Sequence, residues 1–151
     1  MVWPVTRYLC DTSVWIAMAV QHHVHQERAT AWFDTVEDRR ALFCRSTQQS
    51  VLRLLTARVV FAPYGGSPLT GEQAWDTYER LVTDGRVDFE LHEPPGLEGL
   101  WRRFTSRALA SPKLWMDAYL AAFAVAGGLS FVTSDSGFRQ FPGLTLVLLD
   151  E

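Results

Sequence analysis

The chain alternates short apolar runs with longer stretches in which apolar residues recur at helical spacing. Arg7-Tyr-Leu-Cys-Asp11 is a brief apolar run ending in a carboxylate, and Val14 to Val20 after it is periodic, predicting strand, polar turn and helix. Between His22 and Asp38, Val24, Ala29, Trp32, Phe33 and Val36 are spaced as on a helix, and Ala41-Leu-Phe-Cys44 reads as a second strand. Ser46-Thr-Gln-Gln49 has the form of a capping box, predicting a helix with Val51, Leu52, Leu54 and Leu55 on its buried face. Residues 62–69, dense in Gly and Pro, form a loop, and Thr70-Gly-Glu-Gln73 caps a helix running to Thr83.

The second half continues the alternation. Val87 to Leu91 has period two, Leu97 to Leu109 is helical in pattern, and Ser111-Pro112 predicts a serine cap and first-turn proline for a helix from Leu114 to Ala126, closed by Gly127-Gly128. Leu129 to Thr133 and Leu144 to Leu149 complete the strands. Such short apolar strands suit burial on both faces. The fold class expected is therefore α/β, a three-layer α/β/α arrangement around a mainly parallel sheet of four to five strands. A length of 151 residues fits one domain spanning residues 1–151.

Composition narrows the function classes. With 48% hydrophobic residues the chain has apolar surface enough for a core, and with 14 basic against 17 acidic residues the net charge of −3 excludes a broadly basic nucleic-acid-binding surface. The apolar stretch from Leu114 to Phe131 is interrupted by Asp117 and Gly127-Gly128 and preceded by Lys113, so it does not read as a membrane span. The opening residues, Met-Val-Trp-Pro-Val-Thr-Arg, do not form an export leader, and a cytoplasmic location is expected. Cys10 and Cys44 lack partners at metal-ligand spacing and read as buried thiols. His22, His23 and His25 are grouped without an acidic ligand motif.

Three carboxylates stand in apolar surroundings: Asp11 and Asp135 just beyond strands, and Asp117 in the first turn of an apolar helix. Each alone has an ordinary explanation as a turn, cap or dipole-complementing residue. In a parallel sheet, however, functional groups gather beyond the carboxyl ends of the strands, and there the three acids would repel unless protonated or bridged by a cation. Carboxylates without histidine or cysteine favour Mg²⁺ or Mn²⁺, whose retained waters supply a hydroxide for phosphodiester hydrolysis.

Leu9-Cys-Asp-Thr-Ser13, Thr47-Gln-Gln-Ser-Val-Leu-Arg-Leu-Leu-Thr56, Ser111 to Ala122 and Phe131-Val-Thr-Ser-Asp-Ser-Gly-Phe138 together resemble the ordered motifs of PIN-domain ribonucleases, in particular the VapC toxins of type II toxin–antitoxin systems. The resemblance implies that Asp11, Asp117 and Asp135 are the catalytic, metal-binding acids, that Ser13 and Thr133 support them, and that RNA is the substrate. Gln48 stands where the family's second acid usually falls, which implies weaker metal affinity or a different geometry. Arg45, Arg53 and Lys113 are candidates for meeting an RNA backbone. The resemblance further implies a VapB-like antitoxin as partner, a homodimer, and a structured RNA loop, as in tRNA or rRNA, as target. Gln48 also motivates a second expectation, a catalytically weak PIN-like module that binds RNA or protein without cutting it.

Overall fold

The computed structural model describes residues 5–149. Its centre is a five-stranded sheet in the order β3-β2-β1-β4-β5, with every neighbouring pair parallel. The strands are β1 (Tyr8–Cys10), β2 (Ala41–Phe43), β3 (Val87–Phe89), β4 (Ser130–Thr133) and β5 (Thr145–Leu148). The chain runs outward from β1 to β2 and β3, then returns across the sheet to β4 on the other side of β1. The reversal in strand order thus falls between the two central strands.

Alternation along those strands divides the apolar residues between two cores. Cys10, Ala41, Phe43 and Val132 face one side, where they pack against α1 (Thr12–Ala19), α2 (Gln26–Phe33), α3 (Arg45–Leu55) and α5 (Gly71–Val82). Leu9, Leu42 and Phe131 face the other, against α6 (Leu97–Thr105) and α7 (Leu114–Gly127). The three expected layers follow from this period-two division. The first core is anchored by Trp15, whose ring stacks on Phe43 with centroids 4.0 Å apart. The second is built on alanines of α7, where Ala118, Ala121, Ala122 and Ala124 bring the helix close to the sheet.

Several local expectations are corrected. The α3 cap is Cys44, not Ser46: Thr47 Oγ1 accepts from the Cys44 amide at 3.0 Å, and the hydroxyl is buried there. On α3 only Val51 and Leu55 of the expected apolar face are fully buried, while Leu52 and Leu54 are partly so. Ser111 makes no side-chain cap; its carbonyl accepts from Leu114 N in a turn, and Lys113 is the residue preceding α7. The periodicity from His22 to Asp38 yields a helix only over α2, and α6 ends at Thr105, short of Leu109. A short α4 (Arg58–Phe61) and 3-10 turns at Ala62–Tyr64 and Ser136–Gln140 carried no periodic signal. Gly128, with φ of +65°, closes α7 in the left-handed conformation the Gly-Gly pair predicts. Both cysteines are free and buried. Among the described residues no helix is long and apolar enough to cross a membrane. The start of the leader reading, residues 1–4, lies outside the described residues.

Candidate active site

β1 ends because the chain turns into α1 at Asp11. Its amide still completes the ladder to the Val132 carbonyl at 2.8 Å, while its side chain caps the helix, Oδ1 accepting from the Thr12 amide at 2.8 Å. The other oxygen, Oδ2, accepts from Thr133 Oγ1 at 2.7 Å and from Ser13 Oγ at 3.4 Å. Thr133 is fully buried at the end of β4. Its single hydroxyl proton goes to Asp11 and its oxygen accepts the Asp135 amide at 3.0 Å. One hydroxyl therefore fixes the acid beyond β1 and the backbone of the acid beyond β4. Asp135 opens the 3-10 turn, Oδ1 accepting from the Gly137 amide at 2.8 Å. A Cβ at that point would stand 3.0 Å from the same carboxylate oxygen, so a larger residue would press on the Asp135 side chain.

Asp117 reaches the same rim from the first turn of α7. Its carboxyl is pushed up to about 6, first by desolvation and then by the charges of Asp11 and Asp135, with Lys113 opposing the rise. Burial likewise raises Asp11, against the hydrogen bonds from Thr133, Thr12 and Ser13, and Asp135 adds to the rise. The coupling shows that the three acids share one region of negative potential. A cavity of about 170 Å³ opens beside them, lined by Asp117 and Asp135 together with Lys113, Arg107, Ser111 and Gln140.

Oxygen donors of this kind fit a hard divalent cation. Among the described residues no three acidic, histidine or cysteine side chains stand close enough to enclose an ion. The arrangement suits Mg²⁺ or Mn²⁺ held by one or two carboxylates and retaining several waters, rather than a dedicated protein cage.

The structure thus brings together Asp11, Asp117, Asp135, Ser13, Thr133 and Lys113. Among the described residues no hydrogen bond or ion pair joins Gln48, Arg45 or Arg53 to the acids. Gln48 Oε1 accepts from Arg45 Nη1, and both residues stand near the Tyr78 hydroxyl of α5. Arg53 is exposed in the last turn of α3, where it complements the helix dipole. Sequence periodicity missed Arg107, because the helical pattern carried it past the end of α6. It missed Gln140 for want of any signal, and Gly137 appeared only within the Phe131 to Phe138 motif with no role given to it.

A parallel sheet with acids clustered at the reversal of strand order defines a parallel α/β protein with an acidic site, its charge suited to binding a cation against a phosphate. The chain belongs to the PIN domain family, whose profile matches residues 8–144. It is similar to Ribonuclease VapC41 of Mycobacterium tuberculosis, 49% identical over 142 residues covering 93% of this chain and 97% of the relative. Ribonuclease VapC44 of the same organism is 32% identical, over 92% of this chain and 94% of its own. Among solved structures, VapBC2 from Rickettsia felis bound to a promoter DNA fragment superposes with a TM-score of 0.65, 11% identity, 95% of this chain and 98% of that one. The sarcin–ricin-loop-cleaving toxin VapC20 of M. tuberculosis superposes with a TM-score of 0.61, 15% identity, 91% of this chain and 98% of its own. These structural matches bear out the fold class.

Proposed function

We propose that this protein, as one PIN domain, is a metal-dependent endoribonuclease that hydrolyses RNA phosphodiester bonds as the toxin of a toxin–antitoxin pair. The observation that carries the proposal is the convergence of Asp11, Asp117 and Asp135 where β1 and β4 end, with Thr133 joining the first to the third and one cavity lined by Asp117 and Asp135. Sequence identity to ribonucleases over nearly the whole chain supports the same activity. Asp11, Asp117 and Asp135 would hold a Mg²⁺ or Mn²⁺ ion, which would supply a water of lowered pKa and neutralise charge on the phosphorus oxygens. The protein's own part is to hold donors in place. Thr133 and Ser13 orient Asp11, the Gly137 amide orients Asp135, and Asp117 adds a third carboxylate from the start of α7. Lys113 and Arg107, on the cavity wall, attract the phosphate backbone.

The substrate is a single-stranded loop of a structured RNA such as tRNA or rRNA, since A-form duplex leaves its bases hard to read. A VapB-like antitoxin covers the acidic rim in the inactive pair, presenting a cation to it, and the toxin is a cytoplasmic homodimer. Cleavage of end-labelled total tRNA and rRNA with Mg²⁺ or Mn²⁺, against EDTA and against Asp11→Asn and Asp135→Asn, tests the activity. Metal-dependent fragments absent from both variants establish it. Equal inertness of folded wild type and variants would replace it with a second proposal, favoured by the neutral Gln48: a PIN-like module that binds RNA or protein without cutting. Co-expression with the neighbouring small reading frame tests the pairing, which fails if no complex forms and growth is not relieved.

A further inference from the structure

The acid cavity does not end at Arg107. Its walls Arg107, Ser111 and Leu114 also line an adjoining hollow of about 440 Å³, which runs under Pro112 and Leu109 to Trp115. Thr105 and Trp115 in turn line a third hollow of about 340 Å³ between α6 and α7. The three share walls in sequence, so a furrow leads from the carboxylates around the start of α7 to an indole ring. Trp115 is 54% exposed, unusual for so large an apolar side chain. It is also held: Trp101 Nε1 donates to the Trp115 carbonyl at 3.0 Å, and the Trp101 ring meets Trp115 edge-to-face at 6.1 Å.

The order of chemistry along the furrow selects its occupant. A cluster of acids lies at one end, Arg107 stands on the shared wall, and an exposed aromatic ring braced by a second one lies at the far end. A peptide placing a cation among the acids would meet the like charge of Arg107 next. A nucleotide chain instead presents phosphate to a cation held by the acids, phosphate to Arg107, and the flat face of a base to the indole.

Resting on the ribonuclease reading of the acid site, we propose that Trp115 is a stacking platform for an unpaired base flanking the scissile phosphate of single-stranded RNA, with Arg107 holding an intervening phosphate. Specificity for unpaired RNA then arises here, since a base within a duplex cannot reach the ring.

The test uses the full chain carrying Asp11→Asn, to prevent cleavage, with Mg²⁺ present and a fluorescently labelled pool of short single-stranded RNA of mixed sequence as probe. The parent should bind the pool with quenching of tryptophan emission, and should bind a duplex pool without it. Trp115→Ala should weaken binding about 10-fold or more, whereas Trp115→Phe should stay within about 3-fold while losing the quench. Arg107→Ala should reduce the salt dependence of binding by about one ion. Unchanged affinity in folded Trp115→Ala, or quenching that survives in Trp115→Phe, overturns the proposal. So does a Trp115→Ala defect confined to antitoxin binding or to dimer mass. Trp115-dependent binding without cleavage by the native chain would uphold the platform and overturn the enzyme reading. Absence of any RNA binding overturns both.

Discussion

The carboxyl ends of β1 and β2 lie side by side in one sheet, yet they are finished in opposite ways. Beyond β1 the chain places a desolvated carboxylate, clamps it through Thr133 to the end of β4, and gathers two further acids around it. Beyond β2 it places Cys44 and Thr47, buried and neutral, satisfying each other through the capping interaction, with Gln48 turned to Arg45. The difference follows from topology. Connections leave β1 and β4 in opposite directions, opening a crevice between them, whereas β2 sits between two neighbours with no such reversal. Crowded charge stands at the crevice, and at the end of β2 the polar groups close on one another.

The most severe way to break the contrast is to neutralise the crowded end. Asp11→Asn and Asp135→Asn keep the shape and remove the charge, so metal-dependent cleavage should fall at least about 100-fold in either variant with secondary structure retained. Cleavage of labelled RNA within a few-fold of wild type in either one would show that the acids do not act together. A smaller loss, about 10- to 100-fold, is expected from Thr133→Val. That change keeps the buried volume but leaves Asp11 Oδ2 without its 2.7 Å donor and the Asp135 amide without its acceptor. Titration with Mn²⁺ should show the loss chiefly as weaker metal affinity.

Next in size is a pH effect. The Asp117 carboxyl lies at about 6 against its ordinary 3.8. Between those values the folded chain keeps a proton that the unfolded chain has released, so stability falls as pH rises through that window and levels off above it. Because Asp117 is only partly buried, solvent screening reduces the penalty at neutral pH to about 1 kcal/mol. Thermal melts in EDTA should therefore show Asp117→Asn more stable than wild type at about pH 7.5 and equal to it near pH 4, and added Mg²⁺ should remove part of the wild-type deficit. A variant gain that is the same at both pH values would assign it to packing rather than charge.

The two ends also differ in how far the sequence disclosed them. A carboxylate directly after an apolar strand breaks the pattern of its surroundings, so Asp11 and Asp135 stood out, and Asp117 did so inside an apolar helix. That Thr133 joins two of them could not be read from periodicity, because it depends on β4 lying beside β1. At the quiet end the capping template favoured Ser46 with Gln49, but burial of the Thr47 hydroxyl against the Cys44 backbone set the helix start two residues earlier. Arg107 was hidden for a similar reason. The spacing of Arg102, Arg103, Arg107 and Leu109 continues a helix on paper, yet Thr105 and Ser106 return their hydroxyls to the Trp101 and Arg102 carbonyls, and α6 stops. What escapes the sequence in each case is a hydrogen bond of a polar side chain to a particular neighbour. Such bonds follow no period.

The smallest expected effect tests the quiet end itself. Gln48 occupies the position at which the resemblance places a further acid, yet its amide oxygen is engaged by Arg45, and the acids' hydrogen bonds come from Thr12, Ser13, Thr133 and Gly137 instead. Gln48→Ala should then alter cleavage less than about 3-fold, since it removes the exposed bond to Arg45 and a contact with the Tyr78 hydroxyl but no bond to the acids. Gln48→Glu should do little more, because the new carboxylate would pair with Arg45 in place. A gain of 10-fold or more in Gln48→Glu, with Mg²⁺ affinity rising in parallel, would mean that the side chain swings to the cation and that the end of β2 belongs to the site. The contrast between the two strand ends would then be one of charge alone, with topology giving both access to the crevice.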